Sequence, residues 1–230
     1  AAPRAAFAAG FSGPAAAQTN DLQASFDNAF GTEMRAPETF EAIYANSFEQ
    51  RIAELADGDR GRIGVAALDL TTGEAITVLG DQLFPMASTS KIAVAAAYLE
   101  MVEKGRYSLT SEFPLLIPVR SAKYSSPAAP VREGNYMQAI DLIEIMITRS
   151  SNPATDALLA AVGGPPAVND WMRRQGINDF SIDRDIATLV RDDGEYDPAS
   201  WIDPRDAATP RAMVRLLQGL YRGDFLSDQS

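Results

Sequence analysis

Apolar residues along this chain recur mainly at the spacing of helices. The first such stretch follows Thr39, where the apolar positions are Phe40, Ile43, Tyr44, Phe48, Ile52 and Leu55. The same spacing predicts further helices over residues 88–104, 138–148, 153–162, 167–175 and 209–222. Thr209 followed by Pro210 is typical of a helix start, and Gly105 and Gly223 are typical of helix ends. The pattern predicts a largely helical domain.

Strand signals are confined to one place. Residues 62–70 and 75–79 are rich in apolar and β-branched side chains, and the polar turn 71–74 separates them, so they predict a β-hairpin. Residues 106–136 and 183–206 contain many Pro, Ser, Gly and Asp residues and predict long loops. Because a two-stranded hairpin is marginal on its own, we expect that further strands belong to this domain and that the chain is truncated.

The composition limits the possible chemistry. A chain of 230 residues with 46% hydrophobic residues suits one domain, and its net charge of −11 disfavours binding to nucleic acid or to anionic membranes. The chain has no Cys and no His, which excludes thiol catalysis, disulfides and nearly all zinc sites. No apolar run reaches the ~18–20 residues of a membrane span. We expect neither a metal nor a cofactor.

The N-terminal residues have the pattern of an export signal. Arg4 is followed by a short apolar run at 5–11, and Ala15-Ala16-Ala17 resembles a cleavage site. An alanine-rich tail is the alternative. We therefore interpret residues 1–17 as a signal-peptide remnant, 18–38 as a flexible lead-in and 39–230 as the folded domain. This predicts a periplasmic or secreted protein.

The strongest chemical signal is the segment Ser88-Thr89-Ser90-Lys91 at the start of a predicted helix. With no His, a Ser-His-Asp triad is impossible, and Ser-x-x-Lys is the arrangement in which a lysine takes the serine proton. A helix N-terminus also favours a developing oxyanion. The alternative is that Ser88 caps the helix and Lys91 is an exposed helix lysine.

A second polar cluster, Ser150-Ser151-Asn152, lies at a predicted helix junction. Ser150 could relay a proton, and Asn152 could hold both Lys91 and a substrate carbonyl. Alternatively, Ser150 and Asn152 cap the next helix, which has Pro153 in its first turn.

From about residue 40 to residue 223, the order and spacing of several motifs resemble the class A serine β-lactamase family and its penicillin-recognising relatives. The matching segments are Phe84-Pro85-Met86-Ala87-Ser88-Thr89-Ser90-Lys91, Tyr124-Ser125-Ser126-Pro127, Ser150-Ser151-Asn152 with Ala154 and Asp156, Gly163-Gly164-Pro165, Asp183-Arg184 and Asp206-Ala207-Ala208-Thr209-Pro210. The resemblance implies an α/β (α+β) fold of the β-lactamase/transpeptidase type. It would have a helical domain and an antiparallel sheet, of which this chain contains only the N-terminal hairpin.

The resemblance implies catalytic roles for three residues. Ser88 would be the acylated nucleophile, and its own N–H would form half of the oxyanion hole. Lys91 would be a general base or proton carrier, and Ser150 would pass a proton to the β-lactam nitrogen.

It also implies supporting roles for four residues. Asn152 would bind the amide of the substrate side chain, and Tyr124 would form a wall of the cleft. Arg184 and Asp206 would pair across the neck of the Ω-loop; the alternative is a surface ion pair of small value.

The sequence departs from the family pattern at three places, which limits how far the family's catalytic roles can be transferred to this chain. Ser151 stands where the family has Asp, a mild change. Ile186 stands where the family has the Glu that activates the deacylating water, which leaves Asp185 and Glu195 as possible acidic substitutes. The Lys-Thr-Gly strand is missing, since no Lys follows Lys123. We therefore expect a chain truncated at its C-terminus and at its N-terminus.

Three functions are compatible with these residues. The first is a β-lactamase-like serine hydrolase that forms an acyl-enzyme. The second is a penicillin-binding or peptidase-like relative with weak deacylation, which Ile186 favours. The third is a non-catalytic domain that binds a β-lactam or a cell-wall peptide. In each case the partner is a small molecule or peptide, and we expect a monomer.

Overall fold

The computed structural model describes residues 47–56, 62–194, 203–227 and 230. All of them belong to one compact unit, Glu41–Ser230. The helices of this part are α1 (Ser47–Ala56), α2 (Lys91–Glu103), α3 (Ala139–Thr148), α4 (Asn152–Val162), α5 (Pro165–Arg174), α6 (Ile186–Arg191) and α7 (Pro210–Arg222). The strands are β1 (Val65–Leu68), β2 (Ala75–Val78), β3 (Phe84–Pro85), β4 (Glu112–Pro118), β5 (Val131–Gln138), β6 (Phe180–Ser181) and β7 (Ala207–Ala208). This mixture of helices and small antiparallel sheets confirms the expected fold class.

Helices α2 and α4 lie at the centre of the core. Both are rich in alanine, and small side chains let neighbouring helices approach closely. Tyr98 from α2, Leu158 from α4 and Leu142 from α3 are completely buried in the same cluster. Truncating such a leucine typically costs about 2–5 kcal/mol. The core therefore holds in place the two helices at whose N-terminal ends the candidate catalytic residues lie.

The predicted helix ends are confirmed where the structure describes them. Gly105 and Gly223 have φ of +67° and +72°, the left-handed backbone that ends a helix at little cost for glycine. At the start of α7, the Thr209 hydroxyl accepts a hydrogen bond from the Ala212 amide at 3.1 Å. The local sequence therefore determines these boundaries.

The hairpin prediction is confirmed, because β1 and β2 pair antiparallel from Val65 opposite Val78. The expectation that it is the only visible strand pair is wrong. Strands β4 and β5 form a second antiparallel pair, and all but the last two residues of β5 lie in the segment 106–136 predicted as loop. Strand β4 was not predicted because it contains Pro114 and Pro118, and a proline in a strand cannot donate a ladder hydrogen bond. The pairing register also shifts between Pro114 and Leu116.

The long polar loop predicted over residues 183–206 also contains a helix. Helix α6 has only six residues, too few for an apolar period to be visible. Its N-cap is Asp185, whose carboxylate accepts the amide of Thr188 at 2.6 Å. We call residues 183–206 the neck loop.

A short three-stranded sheet connects the neck loop to the Ser88 segment. Strand β7 lies between β3 and β6, with Phe84 opposite Ala208 and Pro85 opposite Ala207. The Met86 amide then donates to the Asp206 carbonyl at 3.0 Å. The end of the neck loop is thereby held beside the turn that carries Ser88.

Several predictions lie outside the described residues: the signal-peptide remnant 1–17, the lead-in 18–38, the start of the first helix, and Glu195. Among the helices that the structure describes, none is long and apolar enough to span a lipid bilayer.

Candidate active site

Ser88 lies in a tight turn immediately before α2. Residues Ala87–Ser90 form a 3₁₀ turn, and the hydroxyls of Thr89 and Ser90 donate to the carbonyls of Met86 and Ala87 at 2.7 and 2.9 Å. Ser88 itself is exposed and does not cap a helix, so the capping alternative is wrong. Its hydroxyl contacts other side chains instead.

Lys91 is buried beneath Ser88, with 2% of its surface exposed, so it is not an exposed helix lysine. Its ammonium nitrogen lies 3.1 Å from Ser88 Oγ, 2.7 Å from Ser150 Oγ and 2.9 Å from Asn152 Oδ1. A fourth acceptor, the Ser150 carbonyl, lies at 2.8 Å. The structure thus brings together Ser88, Lys91, Ser150 and Asn152, as the sequence predicted.

The Ser150 hydroxyl completes a triangle with Ser88 and Lys91. The two serine oxygens are 2.7 Å apart. The helix-capping role that was the alternative for Ser150 and Asn152 belongs to Ser151 instead. Its hydroxyl accepts the Ala154 amide at 3.4 Å, a long contact. Ser150 has φ of +54°, a left-handed conformation that is rare for a residue with a side chain. The helix junction therefore places the Ser150 hydroxyl toward Ser88.

Burial lowers the pKa of Lys91, while the negative charge of Asp156 opposes that effect. A lowered pKa makes the neutral amine more accessible, as a base requires. Lys91 Nζ faces four acceptors with three protons, so losing one proton still leaves it held in place. The site can accept a proton from Ser88 without rearrangement.

Sequence reasoning gave Asp156 no role, but the structure places it behind the site. It is 3% exposed, and its carboxylate accepts the amides of Ile186 at 2.7 Å and Ala187 at 2.9 Å. Desolvation raises its pKa to about 6, with a contribution from Asp185, against the opposing effects of the two amides and Lys91. The available signal was an acidic residue one turn after Asn152 in an otherwise apolar helix.

Arg184 and Asp206 close the neck loop. Arg184 Nε lies 2.7 Å from Asp206 Oδ2, and the two side chains are 19% and 8% exposed. The other Asp206 oxygen accepts the amides of Asp183 and Arg184 at 2.9 and 3.1 Å. The pair is thus largely buried and part of a hydrogen-bond network, unlike an exposed surface pair.

Tyr124 lies on an exposed loop that is tied to the end of α6. Its amide donates to Asp192 Oδ1 at 3.1 Å, and its hydroxyl donates to the Asp192 carbonyl at 3.2 Å. Arg191 binds the same carboxylate through two nitrogens and lowers the pKa of Asp192 to about 2. Arg191 also donates to the Ser126 carbonyl at 2.8 Å. This network was not predicted, because its members are about 65 residues apart.

Ile186 and Asp185, where the resemblance led us to expect a water-activating Glu or an acidic substitute, have other contacts. Ile186 is 9% exposed and donates its amide to Asp156. The Asp185 carboxylate caps α6. In the part of the chain that the structure describes, no group of three or more acidic side chains is arranged to hold a metal ion.

Backbone strain is concentrated near these residues. Leu79, Ala87, Tyr124, Ser150 and Asp206 are the non-glycine residues with positive φ among those described. Three of them, Tyr124, Ser150 and Asp206, are candidate site residues, and Ala87 directly precedes Ser88. Such conformations cost about 1–3 kcal/mol each and cluster at functional sites.

The fold and the site together define a class: a helical domain with small antiparallel sheets, in which a Ser-x-x-Lys turn faces a Ser-Ser-Asn junction. A comparison with known protein families agrees with this class. The model of the β-lactamase enzyme family matches residues 47–230, and the chain belongs to that family. Its relatives are class A β-lactamases.

Individual relatives are moderately similar. The chain is 34% identical over 218 residues to β-lactamase L2 of Stenotrophomonas maltophilia, covering 94% of this chain and 67% of that protein. It is 31% identical to β-lactamase CTX-M-4 of Salmonella typhimurium, covering 80% of this chain and 60% of that protein. This chain therefore spans only about two thirds of the curated relatives it matches.

Solved structures of β-lactamases also match this chain over part of their length. An ancestral class A β-lactamase, that of the last common ancestor of Gram-negative bacteria, is 36% identical and superimposes with a TM-score of 0.63, covering 80% of this chain and 67% of that chain. A β-lactamase from Chitinophaga pinensis is 26% identical, with a TM-score of 0.66 and coverage of 80% and 66%.

Proposed function

We propose that this protein forms an acyl-enzyme with β-lactams through Ser88. One observation carries the proposal: Ser88 Oγ, Lys91 Nζ and Ser150 Oγ lie in mutual contact at 2.7–3.1 Å, with the serines exposed and the lysine buried. That arrangement supplies a nucleophile, a proton acceptor and a proton relay at one place.

The proposed acylation uses all three of these groups. Lys91, as the neutral amine, takes the proton of Ser88 while Ser88 Oγ bonds to the β-lactam carbonyl carbon. The proton then passes through the Ser150 hydroxyl to the ring nitrogen as the C–N bond breaks. The products are a serine ester and a ring-opened amine, and Lys91 returns to its neutral form. The Asn152 side chain, bound to Lys91 at 2.9 Å, would also hold the amide of the substrate side chain.

The second candidate is a penicillin-binding or peptidase-like protein that deacylates slowly. The observation that favours it is that Ile186 is apolar and largely buried; the sequence resemblance implies a water-activating Glu at this place in the family. Asp185 does not readily substitute, because its carboxylate already accepts the Thr188 amide. Asp156 also has both oxygens engaged. We expect acylation to be much faster than hydrolysis of the ester.

A labelling experiment distinguishes these functions. The protein is incubated with a fluorescent penicillin and with a chromogenic cephalosporin, beside Ser88→Ala and the matched control Ser108→Ala. Ser108 is an exposed serine on a loop after α2. A stable label that only Ser88→Ala abolishes supports slow deacylation, and steady turnover supports a β-lactamase. If the protein shows neither, the enzymatic proposals are wrong, and measured non-covalent binding would favour a binding domain.

We further propose that the protein is exported and acts as a monomer on a β-lactam or cell-wall peptide. The support for export is the N-terminal pattern of Arg4, the apolar run 5–11 and Ala15-Ala16-Ala17. Cell fractionation tests the location: recovery in the periplasm or medium supports it, and retention in the cytoplasm contradicts it. Sedimentation of the purified protein tests the oligomeric state.

A further inference from the structure

The segment that carries Tyr124 runs alongside part of the neck loop. We call residues 123–129 the Tyr124 loop. In the described part of the chain, hydrogen bonds join it to the neck loop at four successive positions, which we call the clamp: Lys123 with the Asp193 carbonyl, Tyr124 with Asp192, Ser126 with Arg191, and Ala129 with the Thr188 hydroxyl. The partners run in opposite directions along the two segments. The two segments therefore meet along their length and not at a single contact.

A buried ion pair lies at the centre of the clamp. The side chains of Arg191 and Asp192 are each 6% exposed, and Arg191 Nε and Nη2 lie 2.7 and 2.8 Å from the two Asp192 oxygens. Further N–H groups of Arg191 donate to the hydroxyl and the carbonyl of Ser126, at 3.0 and 2.8 Å. A bidentate pair of this kind fixes orientation as well as adding energy. Arg191 thereby holds both the Asp192 carboxylate and the Tyr124 loop in place.

Tyr124 is bound to Asp192 at two points. Its amide donates to Asp192 Oδ1 at 3.1 Å, and its hydroxyl donates to the Asp192 carbonyl at 3.2 Å. Its φ is +56°, a conformation that a residue with a side chain keeps only when its surroundings impose it. Tyr124 is nevertheless 54% exposed. An exposed ring that is held at its backbone and at its hydroxyl offers a rigid apolar surface, because little side-chain freedom remains to be lost on binding.

The other end of α6 lies against the helix that begins with Asn152. The Ile186 amide, in the first turn of α6, donates at 2.7 Å to Asp156, which lies one turn after Asn152 on α4. A helix of six residues is about 9 Å long. Helix α6 therefore connects the candidate site at its first turn with Tyr124 at its last. The clamp fixes Tyr124 relative to that helix.

We propose that Asp192 and Arg191 are positioning residues that act through Tyr124: they fix its ring as a wall of the substrate cleft and so determine how well the protein discriminates between substrate side chains. This rests on the proposed function, in which Tyr124 faces the acyl side chain of a β-lactam. The substrates that benefit are those whose side chain carries an aromatic or other bulky apolar group, which can pack against the ring. A β-lactam without such a side chain gains nothing from the clamp.

Two β-lactams test this difference. Benzylpenicillin has an aromatic acyl side chain, and 6-aminopenicillanic acid has the same ring system without one. The acylation rate constant of each is measured by competition with fluorescent penicillin. In Asp192→Ala we expect the ratio of the two constants to fall about 10-fold, within the order of 10²-fold that a misplacement of about 1 Å can cost. A merely structural role would lower both constants equally, and an unchanged ratio overturns the proposal.

The matched control is Asp193→Ala, which removes the same side chain from the next residue. Asp193 is exposed, and its carboxylate accepts the amide of the adjacent Gly194 at 2.9 Å. Its bond with Lys123 uses the backbone carbonyl, which the substitution retains. Asp193→Ala should therefore keep the wild-type ratio. An equal fall of the ratio in Asp192→Ala and Asp193→Ala overturns the proposal.

A double-mutant cycle shows whether Asp192 acts through Tyr124. In the Tyr124→Ala background there is no ring left to position, so adding Asp192→Ala should not lower the ratio further. If the two substitutions lower the ratio independently, Asp192 acts by another route and the proposal is wrong. Asp192→Asn retains an oxygen that can accept the Tyr124 amide, and it should keep more of the ratio than Asp192→Ala. It takes the place of Asp192→Ala in the cycle if that variant does not fold.

Hydrogen exchange of the wild-type protein measures the clamp without any β-lactam. The amides of Tyr124 and Ala129, which donate to Asp192 and Thr188, should be slowed together, because segments joined along their length open as one unit. Rapid exchange at Tyr124 beside a protected Ala129 overturns the proposal. If neither β-lactam acylates the wild type, the proposed function fails. If both acylate it and the ratio is the same in all the variants, only the inference about the clamp fails.

Discussion

The unusual ionisation of Asp156 has a measurable consequence for stability. Its pKa is raised from 3.8 to about 6, mainly because burial penalises the charged form. The folded protein therefore keeps a proton that the unfolded chain has already lost. Stability contributed by the protonated form is fully present below about pH 3.8 and is lost as pH rises through about 6.

The size of this effect follows from the shift. A difference of about two pKa units, at 1.36 kcal/mol per unit, corresponds to about 3 kcal/mol of unfolding free energy. Most of it should be lost between about pH 4 and about pH 7.5. This contribution is absent in Asp156→Asn. As pH rises across that range, the unfolding free energy of the wild type relative to that of the variant should therefore fall by about 2–3 kcal/mol.

The assay is urea unfolding at several pH values, followed by tryptophan fluorescence, since Trp171 is fully buried in the core. Comparing the two proteins at each pH cancels the titration of the other groups. A comparison at one pH is not diagnostic, because Asn leaves one of the two bound amides without an acceptor, at a cost of about 1–3 kcal/mol. Asp170→Asn controls for the change in net charge.

Two results would contradict this reasoning. If the difference between wild type and Asp156→Asn does not change with pH, the pKa of Asp156 is not raised. If the wild type instead gains relative stability as pH rises, the two amides and Lys91 outweigh desolvation, and Asp156 is a stabilising anion.

Other changes have expected outcomes. Ile186→Glu should speed hydrolysis of the labelled acyl-enzyme by about 10²-fold or more, whereas Ile186→Gln, equal in size but not a base, should not; equal rates would exclude water activation from this position. Arg184→Ala should lower the urea-unfolding free energy by about 1–3 kcal/mol, because Asp206 loses its 2.7 Å partner. Arg173→Ala, which breaks an exposed pair, should cost less than about 1 kcal/mol, and a larger loss would contradict this ranking. Thr209→Ala should cost about 1 kcal/mol through loss of its cap, while Thr209→Ser should retain most of it.

The sequence alone determined what depends on near neighbours. Helical spacing predicted most of the helices, and Gly105, Gly223 and Thr209 marked their ends, because capping and backbone freedom act within a few residues. The contact between Ser88 and Lys91 is of the same kind. A separation of three residues in a helical turn brings two side chains together whatever the rest of the chain does.

The sequence did not predict short or irregular elements. Strand β4 contains two prolines, and α6 has six residues, so neither carries a readable period. Both form because other parts of the chain supply partners. Strand β5 pairs with β4, and Asp185 and Asp156 satisfy the first amides of α6.

Only the tertiary structure decided how the site is completed and charged. Ser150 reaches Ser88 across 62 residues. The sequence had predicted a proton-relay role for Ser150, but no local pattern could place the two hydroxyls in contact. The role of Asp156 could not be predicted, because its properties come from burial, from two amides 30 and 31 residues away and from a lysine on another helix. Desolvation and long-range hydrogen bonds exist only once the helices are packed. The sequence therefore identified the candidate nucleophile and its lysine, and the packed structure determined which other groups surround them.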